Sequence, residues 1–198
     1  IFKSRMERVV SHLGIDYYFP SEVGHSPLLD KIYVMHPGVR SILQAQGVKC
    51  PIYVMLPPRL RILADAVQTR VRQCNDILHV LYLTGAFLWH GLKEGYRLQK
   101  QDIRDFIMLV NRKSLWRFRI RVHPRDESSD YVQFEKLHPN LDVTYGSSQS
   151  LAEDLAWADV VVTTISTVAL EAHLLGIPVV IYTRNFECPT SHPILSKP

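Results

Sequence analysis

From Asn75 onward, short apolar runs alternate with stretches of helical period. Residues 77–84 (ILHVLYLT) predict a strand, followed by a turn at Gly85 and then a loop or helix that carries Phe87 and Trp89. Residues 101–111 predict a helix, with Ile103, Phe106, Ile107 and Val110 at i, i+3, i+4 and i+7. Residues 117–122 (RFRIRV) alternate as a strand that ends at His123-Pro124. A short helix over 131–137 and a strand over 141–145 come next. Residues 150–157 form a helix, with Ser150 at the N-cap and Glu153 three positions on, the pair that makes a capping box. The segment ADVVVTTISTVALEAHLLGIPVVIYT (158–183) reads strand, hydroxyl-rich turn, helix, strand. Its Val160–Val162 run is that of a strand buried on both faces. Val168 to Leu175 make the helix, Gly176 suits its left-handed terminus, and residues 178–182 give the last strand.

Upstream, residues 31–35 (KIYVM) and 52–56 (IYVML) predict strands around a helix over 37–46, opened by Pro37 and closed by Gly47. Pro57-Pro58 stops the second strand and stiffens the chain. A helix over 60–74 carries arginines on its outer face. Five strands joined by helices beyond residue 75 predict an α/β fold, a doubly wound parallel sheet of Rossmann-like type. Two parts follow: 1–58, the end of an upstream domain and the crossing from it, and 59–198, the sheet domain.

Composition narrows the function classes. The 198 residues are 46% hydrophobic, enough for one good core, with a net charge of +4. That mild basicity suits an anionic ligand or a membrane surface. With no Lys/Arg run and no nucleic-acid motif, nucleic acid is not an expected partner. Cys50, Cys74 and Cys188 are far apart and odd in number, which disfavours a disulfide framework and points to a reducing compartment. No apolar run is long enough to span a membrane, and no export signal stands at the start. The chain begins at Ile1 rather than Met, as expected of a fragment or trimmed product.

Parallel strands would bring three loops to one edge: Thr84-Gly85-Ala86, His123-Pro124-Arg125-Asp126, and Thr164 to Thr167. His123 either donates to a phosphate oxygen or caps its strand, with Pro124 fixing its direction. Arg125 either adds a charged fork or pairs with Asp126. Ser166 and Thr167 either donate to a phosphate beside the first-turn amides or cap the helix. Glu171, one turn in, either takes ribose hydroxyls or is a solvated or dipole-favoured carboxylate near the helix N-terminus. Gly85 is a turn glycine, or one that lets a phosphate approach the backbone. Thr163 and Thr164 read as packed or backbone-bonded hydroxyls. His173 reads as packed, and Trp89, Trp116 and Trp157 as core. His36 reads as a loop residue. Cys188 with His192 makes no metal site, and no metal or cofactor is expected. The absence of GxGxxG and GxxxxGK[ST] disfavours dehydrogenases and P-loop enzymes.

The segments FRIRVHPRD (118–126), NLDVTYG (140–146) and SLAEDLAWADVVVTTISTVALEAHLLGIPVVIYT (150–183) together resemble the C-terminal, donor-binding half of GT-B glycosyltransferases. The resemblance is to the bacterial group with a His-Pro pair and a later Ser/Thr pair. That group holds sialyltransferases, polysialyltransferases, Kdo transferases of capsule and lipopolysaccharide assembly, and teichoic-acid glycerophosphotransferases. It implies that His123, Ser166 and Thr167 hold the phosphate of a CMP- or CDP-activated donor. Residues 31–58 resemble the end of the N-terminal half. The full half, with catalytic base and acceptor site, is not expected in this chain, and neither Glu22 nor Asp30 is assigned that role. LEAHLLGIPVV also resembles UDP-sugar transferases and UDP-GlcNAc 2-epimerases.

The resemblance implies metal-independent sugar transfer from a nucleotide-activated donor to a glycan or lipid-linked acceptor of surface-polysaccharide assembly. His123 would act as the catalytic group on the leaving phosphate. The rival readings are a non-catalytic nucleotide-sugar-binding module and an epimerase-like enzyme. A cytoplasmic location, at the inner face of the membrane, is the expectation. Arg59, Arg61, Arg70 and Arg72 suit peripheral membrane contact and a solvated helix face equally.

Overall fold

The computed structural model describes residues 9–12, 29–34, 37–56, 58–68, 77–89, 91–126, 129–137, 139–146, 150–164 and 166–182. The expectations on Glu22, His36, Cys74, Cys188, His192 and residues 69–74 lie outside them. Chain contacts separate one unit that reaches Pro58 from a second that starts at Arg59.

In the first unit, β1 (Val9–His12), β2 (Lys31–Val34) and β3 (Ile52–Val54) form a parallel sheet in that order. Helix α1 (Pro37–Ala45) crosses from β2 to β3 and buries Val39 and Leu43. Gly47, at φ 84°, ends the crossing in the left-handed conformation that the sequence pattern requires.

Helix α2 (Pro58–Gln68) has its proline at the first turn and lies in the second unit from Arg59 on. The sheet of this unit contains β4 (Leu78–Leu83), β5 (Trp116–Val122), β6 (Leu141–Tyr145), β7 (Val160–Thr163) and β8 (Val179–Ile181). All neighbours are parallel, in the order β6-β5-β4-β7-β8. The crossings are α3 (Lys93–Val110), α4 (Ser129–Glu135), α5 (Leu151–Trp157) and α6 (Thr167–Leu174). This is a Rossmann-like doubly wound sheet, and its strand order reverses between β4 and β7.

The core between α3 and the sheet centres on Tyr82, Phe106 and Phe118, with Phe106 and Phe118 ring centroids 5.0 Å apart. The capping box on α5 is fully formed: Glu153 N–H donates to Ser150 Oγ at 3.1 Å, and Ser150 N–H to Glu153 Oε2 at 3.0 Å.

Helix α3 begins at Lys93 rather than at residue 101. Its first half carries Gly95 and a polar composition, which masks the inward stripe. Two residues of that stripe, Gln99 and Asp102, are polar yet fully buried. In β5, Arg119 and Arg121 are also largely covered, because Asp154 of α5, itself 0% exposed, takes an ion pair from each. Two further expectations are corrected. His173 is exposed, since its turn of α6 faces outward. Trp89 is not core but 62% exposed, because it follows β4 beyond the sheet edge.

Candidate functional site

The register sets the site. Leu83 pairs with Arg121 on one side and with Thr163 on the other. The residues that follow these three strand ends, Thr84, His123 and Thr164, therefore leave the sheet at one carboxyl edge. Adjacent strands lie about 4.8 Å apart, so the His123 and Ser166 loops start about 10 Å from each other, on either side of the Thr84 loop.

The first two loops are joined directly. His123 N–H donates to Thr84 Oγ1 at 2.8 Å, and Thr84 N–H donates to the Arg121 carbonyl at 3.1 Å. Arg125 N–H donates to His123 Nδ1 at 3.2 Å. With Nδ1 accepting, the proton of a neutral imidazole sits on Nε2, which makes Nε2 the donating atom of the ring. Pro124 packs against Gly146, where a β-carbon would lie 2.7 Å from Pro124 Cγ. Arg125 is exposed and lies over Trp89, guanidinium to ring centroid 4.9 Å, rather than against Asp126.

Asp126 faces inward. Tyr131 donates its hydroxyl to Oδ2 at 3.0 Å, while Oδ1 is buried with no hydrogen-bond partner. Burial pushes this carboxyl above its ordinary value, against the pull of the Tyr131 and Thr84 hydroxyls. Gly85 is buried, and its N–H is already committed to Gln99 Oε1 at 2.5 Å.

On the far side of β4, Thr163 Oγ1 donates to the Leu83 carbonyl at 2.9 Å. Thr164 is bonded to side chains: its Oγ1 lies 3.1 Å from the Tyr82 hydroxyl and donates to Asp102 Oδ2 at 3.4 Å. Ser166 is the N-cap of α6 and accepts from Val168 N–H at 3.3 Å, which leaves its own hydroxyl proton to donate elsewhere. Thr167 is exposed at the first helical position.

Glu171, one turn on, is 4% exposed, neither solvated nor alone: Arg59 of α2 donates to its Oε2 at 2.7 Å. Burial raises the Glu171 carboxyl and the Arg59 guanidinium pulls it back, with burial the larger effect.

The structure thus ties His123 and Arg125 to Thr84 and Trp89, sets Ser166 and Thr167 at the end of the adjoining strand, and engages Glu171 with Arg59. Reading the sequence missed Trp89, Gln99, Tyr131 and Gly146 as residues around these loops. For Trp89 the signal was its place soon after a strand end. The other three carried none. Among the described residues no cluster of His, Cys, Asp and Glu is arranged to hold a metal, and no helix is long and apolar enough to cross a membrane.

No family model and no curated protein matches this sequence. Solved structures do resemble it. The UDP-GlcNAc 2-epimerase of Methanocaldococcus jannaschii, in complex with UDP-GlcNAc and UDP, overlays with a TM-score of 0.56 at 16% identity. The match covers 82% of this chain and 48% of that one. A UDP-N-acetylglucosamine 2-epimerase from Listeria monocytogenes gives 0.54 at 17% identity, over 82% of this chain and 44% of that one. The wall teichoic acid polymerase TagF, H444N variant with CDPG, is more distant: 0.49 at 14% identity, over 77% and 37%. The chain spans about half the length of the epimerases it resembles. The likeness is one of fold, the Rossmann-like sheet of GT-B architecture.

Proposed function

We propose that this chain is the donor-binding half of a GT-B glycosyltransferase that serves bacterial surface-polysaccharide synthesis. Its donor is a nucleotide-activated sugar, CMP- or CDP-linked by preference and UDP-linked otherwise. Residues 1–58 are then the end of the N-terminal domain, and the acceptor, a glycan or lipid-linked glycan, engages the other half. The work takes place at the cytoplasmic face of the membrane.

One observation carries this reading. The His123 and Ser166 loops flank β4 at the point where the strand order reverses, the place where open α/β sheets bind ligands. His123, held by Pro124 with its proton on Nε2, donates to the leaving phosphate. The Ser166 and Thr167 hydroxyls and the first amides of α6 meet the same anion from the other side. As the glycosidic bond breaks, charge grows on that phosphate, and these preset donors stabilise it without a metal. Gly85 and Pro124 shape the backbone around it, Arg125 adds positive charge, and Glu171 accepts from ribose hydroxyls.

Calorimetry with CMP, CDP and UDP tests the site and the base together. Binding of one of them, weakened at least tenfold in His123→Ala, supports the assignment. No binding by any of the three overturns it, and unchanged affinity in the variant removes His123 from the site. The likeness to two 2-epimerases favours a second reading, an epimerase acting on a UDP-sugar. Conversion of UDP-GlcNAc with no acceptor present would select it.

A further inference from the structure

Polar residues on the buried face of α3 bond the loops after β4 and β7 directly and reach the His123 loop through Tyr131 of α4. Gln99 is 0% exposed, and its amide orientation is forced. Gly85 N–H can only donate, so Oε1 faces it at 2.5 Å. Nε2 then faces the Tyr131 hydroxyl oxygen at 3.0 Å and the Gly85 carbonyl at 3.4 Å. Tyr131, also 0% exposed, passes its single proton on to Asp126 Oδ2 at 3.0 Å. The result is a polarised chain running from Gly85 through Gln99 and Tyr131 to Asp126, from the loop after β4 to the loop that holds His123. One turn along the helix, Asp102 takes the Thr164 hydroxyl of the third loop at 3.4 Å. Toward the helix N-terminus, Tyr96 donates to Asp130 of α4, and Lys100 pairs with the same carboxylate at 3.4 Å.

We infer that Gln99 is a positioning residue: through Gly85 on one side and Tyr131–Asp126 on the other, it couples the His123 loop to the loop after β4. Neither loop then moves without breaking a buried hydrogen bond, and a buried donor or acceptor left unmatched is costly. An apolar side chain of the same size would fill the space equally well but would leave the two loops joined only through Thr84. The consequence for ligand affinity rests on the proposed nucleotide site. The coupling itself does not.

Gln99→Glu separates positioning from packing, because its effect depends on protonation. The protonated carboxyl copies the amide, its carbonyl oxygen accepting from Gly85 and its O–H donating to Tyr131. The ionised carboxylate still accepts from Gly85 but has no proton for Tyr131, so the chain breaks in the middle. Burial raises the pKa of a carboxyl at this position, so the switch falls above the ordinary glutamate range. Asp126, Asp130, Asp102, Lys100, Tyr96, Tyr131 and His123 also surround or adjoin this chain. Wild type and Tyr131→Phe, which has no hydroxyl at any pH, are therefore followed in parallel.

Amide hydrogen exchange at pH 5 and pH 8, corrected for intrinsic rates, is read at Gly85, Arg125 and Asp126. For Gln99→Glu the inference expects wild-type protection at pH 5 and, at pH 8, at least tenfold faster exchange at Arg125 and Asp126, with Gly85 still protected by the carboxylate that accepts from it. For Tyr131→Phe, which keeps the Gln99–Gly85 bonds and loses the one to Asp126, it expects fast exchange at Arg125 and Asp126 at both. Unchanged protection of Arg125 and Asp126 at pH 8, or an equal effect of Gln99→Glu at the two pH values, overturns it. CMP, CDP and UDP affinities of the same proteins form the second arm. Where wild type binds one of them, Gln99→Glu should bind it at least tenfold more weakly than wild type at pH 8 and equally at pH 5. Wild-type affinity at pH 8 in a variant with a loosened His123 loop overturns the positioning role. If wild type binds none, the proposed function fails and the exchange data alone decide the coupling.

Discussion

At the scale of single residues, two contacts make sharp predictions. A β-carbon on Gly146 would lie 2.7 Å from a ring carbon of Pro124, and a proline ring is not the free end of a flexible side chain. Gly146→Ala must therefore push the His123-Pro124 loop. The expected loss is about 1–3 kcal/mol of stability, read from the urea midpoint, together with weaker nucleotide binding. An unchanged midpoint would show that the loop yields freely. Arg59 and Glu171 give a pH signature. Burial raises the Glu171 carboxyl above its unfolded value, so folding favours its protonated form, and stability falls as pH rises through the folded value. Arg59 offsets that fall only where Glu171 is charged. Arg59→Ala should therefore be nearly neutral at pH 4 and cost about 1 kcal/mol at pH 8, a modest figure because the guanidinium is 58% exposed. A cost that is equal at both pH values, measured by chemical denaturation, would refute the pairing. Position 171 was legible as a site candidate because it stands one turn beyond a hydroxyl-rich turn. Its burial and its partner were not, since Arg59 lies on a different helix.

At the scale of elements, α5 depends on one buried carboxylate. Asp154 receives Arg119 at 3.2 Å, Arg121, and the Thr144 hydroxyl at 3.2 Å, so it ties α5 to both β5 and β6. Arg119 also lies over Trp157 at 4.1 Å. Asp154→Ala removes the buried carboxylate that neutralises two covered guanidinium groups, and the expected cost is about 3–5 kcal/mol. Ser150→Ala, which removes only the cap, should cost about 1 kcal/mol. Thermal denaturation of the two variants side by side checks the ratio. Comparable losses would mean that Asp154 is not the anchor. The cap was legible because Ser150 and Glu153 are local in sequence. The anchor was not, because an alternating RFRIRV strand reads the same whether its arginines meet water or a buried aspartate. Helix α3 shows the same limit. Its second half was found from the apolar spacing of Ile103, Phe106, Ile107 and Val110. Its first half was hidden because it carries Gly95 and because Gln99 occupies an inward position where the pattern expects an apolar side chain. Gln99 is the residue that bonds the loop after β4, so this part of the helix was the part least visible in the sequence.

At the scale of the whole chain, the five-stranded sheet was legible because each βα unit announces itself by period and punctuation. Convergence of its loops at one edge then followed from parallel topology. What a ligand does to the folded protein is a global measurement. A nucleotide that binds only the folded state stabilises it by about 2.7 kcal/mol at a hundred times its dissociation constant, a rise in melting temperature of roughly 8 °C for a domain of this size. Two controls decide whether the anion is held as proposed. If protein dipoles and the imidazole carry the charge, EDTA leaves the shift intact, whereas a bridging cation would make it collapse. If the grip is largely electrostatic, on a chain whose net charge is +4, raising the salt from about 0.05 to about 0.5 M shrinks the shift. His123→Ala and a Ser166→Ala, Thr167→Val double variant should each reduce the shift from opposite sides of β4, and together abolish it. Full retention of the shift in the double variant would place the phosphate on the His123 side alone and detach α6 from the site.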